Sequence, residues 1–326
     1  MIQIEYEDKE MVEKCHLQYV RKRIEMNAAV FKSKCVDKGI SLEKLQQLRW
    51  FGQKDTIIQK IAISSDLDEL VCLQEEWFQQ IGIEHKDALA EALQKLLDYD
   101  HFYEGLKIQH EQREVKWNRH RLLTYTNVRI CPYCDRQYLT LSDKMITASC
   151  DHYYPKGKFP LLSINMYNLI PCCHICNSVF KGDKVKEKQD LHLYPYADGT
   201  DSLKFRVAIE NADNLYNLSE EANYINVEIT DTNDSERKQR AENSRTLFHL
   251  QELYQFHAKD AYELRKALRE EGNQQYQELF IENFKQLNAI KHYAFLYRTV
   301  DVRKEPLVKF RRDIEEQFRD AQSLDI

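Results

Sequence analysis

Residues 150–177 read CDHYYPKGKFPLLSINMYNLIPCCHICN, a run that combines cysteines, histidines, an aspartate and two lysines with several prolines. The prolines argue against a helix, and an ordinary core strand would not carry so many side chains that bind metal ions. Asp151 and His152 are adjacent, Asn168 follows them, and a cysteine pair then runs into Asn177. This order raises the question of which chemistry needs these side chains together.

The composition of the whole chain limits the answers. The 326 residues are 43% hydrophobic and 11% aromatic, which is enough for a sizeable core and unlike a disordered protein. No stretch is apolar enough for a signal peptide or a membrane span, so we expect a cytoplasmic protein with reduced thiols. The formal net charge of −6 argues against a surface that is basic throughout. Any contact with nucleic acid must therefore come from a local patch.

Two C-x-x-C pairs are the strongest metal signal in the chain. They are CPYC, which begins at Cys131, and CHIC, which begins at Cys173. Two residues between thiolates let both sulfurs reach one tetrahedral ion, and two such turns complete its four ligands. Six of the nine cysteines fall within residues 131–176, which favours metal over disulfides in a reducing compartment. One structural zinc ion is therefore predicted, with the ligands Cys131, Cys134, Cys173 and Cys176.

Other candidate ligands lie close to these four. Cys172 is an alternative to Cys173, although only Cys173 has the two-residue spacing to Cys176. His174 lies between two ligands and is an alternative to one of them, while Cys150 is equally consistent with a place in the core. The remaining cysteines are expected to be small buried side chains: Cys15, Cys35 and Cys72.

Proline distribution and periodicity suggest how the chain is organised. Five of the six prolines lie within residues 132–195, whereas the flanks are poor in proline and show helical periodicity. Residues 64–82, for example, have a capping-box signal from Ser65 to Asp68 and a stop at Gly82. The predicted fold class is mainly α, with a small α+β module inserted in a helical scaffold. The predicted divisions are a helical region 1–126, a metal-bearing module 127–200, a β-hairpin segment 201–232, and a helical region 233–326 that packs with the first.

The segment after the module predicts strands and then helices. LKFRVAIEN, residues 203–211, and NYINVEITD, residues 223–231, alternate apolar and polar residues as half-buried strands do. One long helix is predicted from Asp234 to about Glu271. A further helix is predicted from an apolar stripe consisting of Tyr276, Phe280, Phe284, Leu287 and Ile290.

A hairpin followed by a helix would bring the polar side chains of residues 150–177 to a common point. Asp151 and Asn177 offer hard oxygen ligands that suit Mg²⁺ or Mn²⁺ and leave coordination positions open. Such an ion can hold a scissile phosphate and stabilise the leaving oxygen. Histidine titrates near neutral pH, so His152 can accept a proton from an attacking water.

The order C-P-Y-C, D-H-Y-Y-P-K and Y-N-L-I-P-C-C-x-x-C-N-x-x-x-K-G resembles the HNH endonuclease superfamily over residues 127–184. The resemblance implies a ββα-metal fold with paired zinc knuckles, within which His152 is the general base and Asp151 a ligand of the catalytic metal. It also implies that Asn168 holds the loop around the base. Asn177 occupies the last position of the signature, where this sequence has asparagine in place of histidine.

The pattern is also similar to bacterial anti-phage nucleases of Septu-type systems, in which an HNH module works beside an ATPase. That subgroup has a His-Pro-Tyr after the module, whereas this chain has Tyr194 at the place of the histidine and His192 two residues earlier. Second-sphere and packing roles remain open for both residues. The resemblance implies a defence effector with an ATPase subunit as partner.

Lysines around these motifs are candidates for phosphate contacts. They would position double-stranded DNA without reading its sequence, and they are Lys156, Lys158, Lys181 and Lys184. The alternative is a catalytically silent, zinc-stabilised subunit of an ATPase complex that binds nucleic acid or a partner protein.

Overall fold

Helices before and after the cysteine-rich centre make up most of the protein. The computed structural model describes residues 1–48, 53–142, 144–208, 224–230, 233–272 and 296–324. The described chain is mainly helical with small two-stranded sheets, so the coarse fold class predicted from the sequence is confirmed. No helix in these ranges is both long and apolar enough to cross a membrane.

Among the described residues of the first region, five α-helices precede residue 98. They are α1 (Lys9–Asp37), α2 (Leu42–Gln47), α3 (Lys54–Ile63), α4 (Leu67–Ile81) and α5 (Lys86–Leu97). The longest of them, α1, packs against α5 and α3. Helix α4 ends at Gly82 as predicted, and the φ of Gly82 is 106°. Its cap lies one residue later than predicted, because Asp66 rather than Ser65 accepts the hydrogen bond from the Glu69 N–H, at 3.1 Å. The aspartate carboxylate at this end also complements the helix dipole.

Residues 106–117, which precede the first C-x-x-C pair (Cys131 and Cys134, called the first knuckle below), contain a sheet that was not predicted from the sequence. Strands β1 (Leu106–His110) and β2 (Arg113–Trp117) pair antiparallel, and the short helix α6 (Arg119–Thr124) follows. Glu111 and Gln112 form the turn with φ values of 45° and 64°. Two consecutive positive φ values suit a tight hairpin turn, but glycine and asparagine are the usual signals for one.

The central segment supplies a second antiparallel pair. Strand β3 (Ser149–His152) pairs with β4 (Leu169–Cys172), with Asp151 opposite Ile170. A short helix, Ile175–Lys181, follows directly and is called the site helix below. The sequence predicted this order of strand, loop, strand and helix.

The region after the centre agrees with the sequence analysis in its strands and differs in its helices. Strands β5 (Leu203–Val207) and β6 (Ile225–Ile229) pair antiparallel. The single helix predicted from Asp234 to Glu271 is wrong, because His249 has a φ of 50° and interrupts it. The actual helices are α7 (Ser235–Leu247), α8 (Leu250–Gln255), α9 (Ala258–Gly272) and, further on, α10 (Val308–Leu324). The predicted stripe from Tyr276 to Ile290 lies outside the described residues.

The interruption at His249 serves packing against the central segment. It follows Phe248, which is fully buried and stacks on Tyr133 with 4.6 Å between ring centroids. The Tyr254 hydroxyl of α8 donates a hydrogen bond to the carbonyl of Cys134 at 2.9 Å. A continuous helix would carry these aromatic side chains along a straight axis and could not turn both towards the cysteine segment.

Both flanks contact the centre, and the buried apolar residues form one continuous core. From the first region, the backbone N–H of Ile2 donates to Pro132 and that of Ile4 to Pro195, both at 2.9 Å. From the last region, the backbone N–H of Leu307 donates to the carbonyl of Asp135 at 3.0 Å. The flanks also meet directly in an ion pair between Arg303 and Glu5.

His16 of α1 joins three parts of this core. Its Nε2–H donates to the Ile164 carbonyl at 2.8 Å, and its Nδ1 accepts from the Trp117 indole N–H at 3.3 Å. Both bonds are satisfied only by the neutral imidazole, because protonated Nδ1 has no lone pair. Burial lowers the pKa of His16 to about 4.

The free energy of unfolding should therefore fall as the pH drops from about 6.5 to about 4. In this window an unfolded His16 binds a proton and the folded one does not, so acid favours the unfolded state by up to about 1.4 kcal/mol per pH unit. Urea unfolding at several pH values should show a slope for His16→Gln that is shallower by this amount. Equal slopes in the two proteins would contradict the assignment.

Candidate metal centre and active site

The four cysteines of the two C-x-x-C pairs converge in the fold. The sulfurs of Cys131, Cys134, Cys173 and Cys176 all lie within 4.8 Å of one another, and all four residues are buried. The Cys176 N–H points to the sulfur of Cys173 at 3.4 Å, a bond typical of a thiolate-bearing turn. Hydrogen bonds from the other three sulfurs lower the pKa of the Cys173 thiol. Four buried sulfurs in this arrangement could hold a metal ion such as zinc.

The other candidate ligands do not join this cluster. Cys172 is buried on β4, Cys150 is half-buried on β3, and His174 is exposed to solvent. Cys15 and Cys35 are buried as predicted, but Cys72 is exposed, so its prediction as a core residue is wrong. Cys72 lies on the outer face of α4, between the buried positions Leu70 and Leu73.

A groove of about 590 Å³ is lined in part by the site helix, which also carries Cys176 of the cysteine cluster. Asp151 and His152 line it from β3, and Asn177 and Lys181 line it from the site helix. The loop between the two strands contributes Lys156 and Lys158, and the first helical region contributes Tyr99 and Asp100. The fold therefore brings the carboxylate, the imidazole and one of the two carboxamides singled out in the sequence to one concave surface.

His152 is held in one tautomer by its surroundings. Its Nε2 lies 2.9 Å from the Ser163 carbonyl, which can only accept, so Nε2 carries the proton and Nδ1 retains a lone pair. The ring packs edge-on against Tyr99 with 4.3 Å between centroids. Burial lowers the pKa of His152 to about 4, which leaves the imidazole neutral at physiological pH.

Asn168 braces the loop that carries Ser163. Its Oδ1 accepts from the Tyr154 N–H at 2.7 Å, and its Nδ2 donates to the carbonyls of Tyr154 at 3.0 Å and Leu162 at 2.9 Å. The side chain is fully buried. One amide thus ties the start of the loop to its end, behind the histidine.

Asn168→Ala should lower the free energy of unfolding by about 3 kcal/mol, because the buried N–H and carbonyl of Tyr154 lose their partner and the Leu162 carbonyl, which also accepts from the Asn165 N–H, loses one of two bonds. Asn177→Ala is the matched control, since this half-exposed amide makes only one long bond, 3.4 Å to Ser178, and its loss should change stability by less than about 0.5 kcal/mol. Urea unfolding measures both. Equal losses in the two variants would mean that Asn168 does not brace the loop.

Asp151 lies at the inner wall of the groove, with its side chain 6% exposed. The Tyr133 hydroxyl donates to Oδ2 at 2.6 Å, and the Lys181 ammonium donates to Oδ1 at 2.8 Å and Oδ2 at 2.7 Å. Burial is the largest influence and alone would raise the pKa of Asp151, but the charge of Lys181 and the hydrogen bonds from Lys181 and Tyr133 act together to hold the pKa below its usual value. The carboxylate is therefore charged and paired inside the protein.

The geometry of the site helix explains how Lys181 reaches this position. The Gly182 N–H donates to the Asn177 carbonyl, five residues earlier, as in a π-helix. Residues five apart share a face in such a helix, whereas in an α-helix they point about 140° apart. Cys176 and Lys181 can therefore both face the interior, one towards the cysteine cluster and the other towards Asp151.

The four lysines predicted to contact phosphate do not share one environment. Lys158 and Lys184 are exposed. Lys156 is 44% exposed, pairs with Asp100 at 2.6 Å and lies over the Tyr99 ring. Lys181 departs from the expectation, because its side chain is only 2% exposed and its ammonium points into the protein. As arranged here, it offers no charge to a passing phosphate.

Sequence reasoning missed two tyrosines that contact the site. Tyr133 lies between two knuckle cysteines and touches Asp151, and Tyr99 lies beyond α5 and touches His152. The only signal for Tyr133 is its place inside CPYC, and Tyr99 has none. His192 is buried against the Tyr133 ring, and the Tyr194 hydroxyl donates to the Tyr167 carbonyl at 2.8 Å. Among the described residues, the Nε2 of His192 is a buried ring nitrogen without a hydrogen-bond partner.

No family model, curated protein or solved structure matches the chain. What the site can do therefore has to be argued from its own residues.

Proposed function

We propose that the protein is a metal-dependent endonuclease of the HNH type that hydrolyses phosphodiester bonds of DNA. The observation that carries this proposal is the meeting of Asp151, His152 and Asn177 on one groove beside four clustered cysteines. The order strand, loop, strand and helix supports it, because it matches the arrangement that the HNH resemblance implies.

His152 is the general base in this proposal. A neutral imidazole with Nε2 bound to Ser163 keeps Nδ1 available to take a proton from water. Asn168 acts through the loop, because it fixes the segment that ends at Ser163. Tyr99 restricts the ring from the side.

Asp151 and Asn177 are the proposed ligands of Mg²⁺ or Mn²⁺. The cradle around Asp151 already holds a cation, the Lys181 ammonium, between carboxylate and carbonyl oxygens, and these are the donors that such ions prefer. A bound ion would stabilise the charge that develops on the phosphate and on the leaving oxygen. The four clustered cysteines would hold structural zinc, and the ion would tie Cys173 and Cys176 to Cys131 and Cys134.

Double-stranded DNA is the proposed substrate. Lys156, Lys158 and Lys184 lie on or near the groove and can contact its phosphates without selecting a sequence. Selection of the target would then fall to a partner, for which the HNH resemblance suggests an ATPase subunit. In that setting the nuclease is the effector of a bacterial anti-phage system.

One observation favours a second candidate, a catalytically silent nucleic-acid-binding module. Both oxygens of Asp151 are occupied by Lys181 and Tyr133, as in a purely structural ion pair. In this case the groove would bind DNA and the paired carboxylate would only stabilise the fold.

Cleavage of supercoiled plasmid by zinc-loaded protein distinguishes the two. With Mg²⁺ or Mn²⁺ present, the nuclease should convert the plasmid to nicked and linear forms. The same assay with linear duplex DNA, single-stranded DNA and RNA shows which class of nucleic acid is cut. DNA binding without cleavage in either metal would support the silent module and overturn the nuclease.

A further inference from the structure

The Lys181 ammonium lies in a cation site built from protein oxygens. It lies 2.8 and 2.7 Å from the two carboxylate oxygens of Asp151, 2.6 Å from the His152 carbonyl and 3.3 Å from the Tyr153 carbonyl. The side chains of Lys181 and Asp151 are 2% and 6% exposed. Four oxygens around one buried charge make a coordination shell that a divalent ion would also find favourable.

Stability alone does not account for such a pair. A buried ion pair must overcome the desolvation of both charges, and apolar side chains of similar volume often serve as well. Both residues also line the groove that carries the candidate base, so the pair lies at the reactive surface of the molecule.

Two cations cannot share this shell. A divalent ion at Asp151 would lie within a few ångströms of the ammonium in a poorly screened environment, where like charges repel strongly. The ammonium can move into the groove, because Lys181 is the last residue of the site helix and lines the groove, and the next residue, Gly182, is exposed to solvent. The long flexible stem of lysine allows its head group to rotate away while the backbone stays in place.

We propose that Lys181 is an internal cation that holds Asp151 until a divalent metal ion displaces it, and that the released ammonium then binds the phosphate of the incoming DNA. This inference rests on the proposed function. It gives the Lys181 ammonium two positions, one at Asp151 without metal and one at the DNA phosphate with metal bound. It also couples the two ligands. Because phosphate stabilises the released lysine, DNA should raise the affinity for metal, and metal should raise the affinity for DNA by the same factor.

Titration calorimetry with Mn²⁺ on zinc-loaded protein tests the displacement. The part of the binding heat that disappears in the Asp151→Asn variant is assigned to this site. Lys181→Met should bind Mn²⁺ at least tenfold more tightly than the wild type, since no ammonium competes. Lys309→Met is the matched control, because Lys309 is equally buried in an ion pair with Asp313 and should leave the affinity unchanged. Equal or weaker binding in Lys181→Met would overturn the proposal.

A second measurement needs no variant at position 181. Reductive methylation followed by peptide mass spectrometry should find Lys181 protected in metal-free wild type and at least tenfold more reactive with saturating Mn²⁺, while Lys309 stays protected in both. Bound Mn²⁺ and plasmid cleavage with Lys181 still protected would overturn this inference and leave the nuclease intact. Absence of Mn²⁺ binding in both wild type and Lys181→Met would overturn the metal-dependent nuclease together with it.

Discussion

Replacement of His152 by alanine should lower the rate of DNA cleavage by at least about a hundredfold, because a positioned general base contributes about 10²–10⁴ to the rate. The imidazole is neutral, its Nε2 is bound to Ser163, and its low pKa keeps Nδ1 unprotonated at physiological pH. Binding of DNA and of Mn²⁺ should change little, since His152 supplies neither the carboxylate nor the exposed lysines. Plasmid cleavage, a DNA-binding assay and Mn²⁺ calorimetry on one preparation separate these effects.

His174→Ala is the matched control for this prediction. His174 lies close by in the chain, between two knuckle cysteines, but it is exposed and outside the cysteine cluster. The His174→Ala variant should therefore cleave DNA at the wild-type rate. If His152→Ala also cleaved at the wild-type rate, the histidine would serve packing only and the proposed mechanism would fail at its base.

Loss of the zinc ligands should have the largest effect on folding. Cys173→Ser should reduce zinc from about one ion per chain to nearly none, because four thiolates complete the tetrahedral shell. The free energy of unfolding should fall by about 5 kcal/mol or more, since structural zinc contributes about 10–16 kcal/mol of binding free energy in zinc-finger peptides. We expect the module to depend on the ion because its own elements are short: two strands of 4 residues and a helix of 7.

Elemental analysis and urea unfolding test the role of zinc. Cys72→Ser is the control, because this exposed thiol lies outside the cluster and its replacement should change stability by less than about 0.5 kcal/mol. A fully folded wild type without zinc, or a Cys173→Ser variant as stable as Cys72→Ser, would refute the structural zinc.

The convergence of the four cysteines was predictable because spacing encodes it. Two residues between thiols define a turn, and two such turns with a common partner define a site. The pairing of β3 with β4 followed for a similar reason, since proline-rich turns and apolar runs mark where strands begin and end. In both cases the spacing of residues within a short segment determines the local geometry, so the geometry can be predicted from the sequence.

The environment of Asp151 could not be read in the same way. Its partners Tyr133 and Lys181 come from different turns of the fold, and Lys181 reaches it only because the site helix is a π-helix. A π-helix is rare and differs from an α-helix by hydrogen bonds that span five residues instead of four, so helical periodicity in the sequence does not predict it. The interruption at His249 was missed for a related reason, because the contacts of Phe248 with the central segment override helical periodicity.

Gln74 has a consequence for whether residues 127–200 could be transferred to another protein. This fully buried side chain of α4 donates to the Lys158 carbonyl at 2.8 Å and accepts from the Leu161 N–H at 3.2 Å. The loop beneath His152 thus takes its backbone partners from a residue 84 positions earlier in the chain. Residues 127–200 are therefore not self-sufficient. If they were grafted onto another protein, the loop would lose the hydrogen bonds that the Gln74 side chain makes to it.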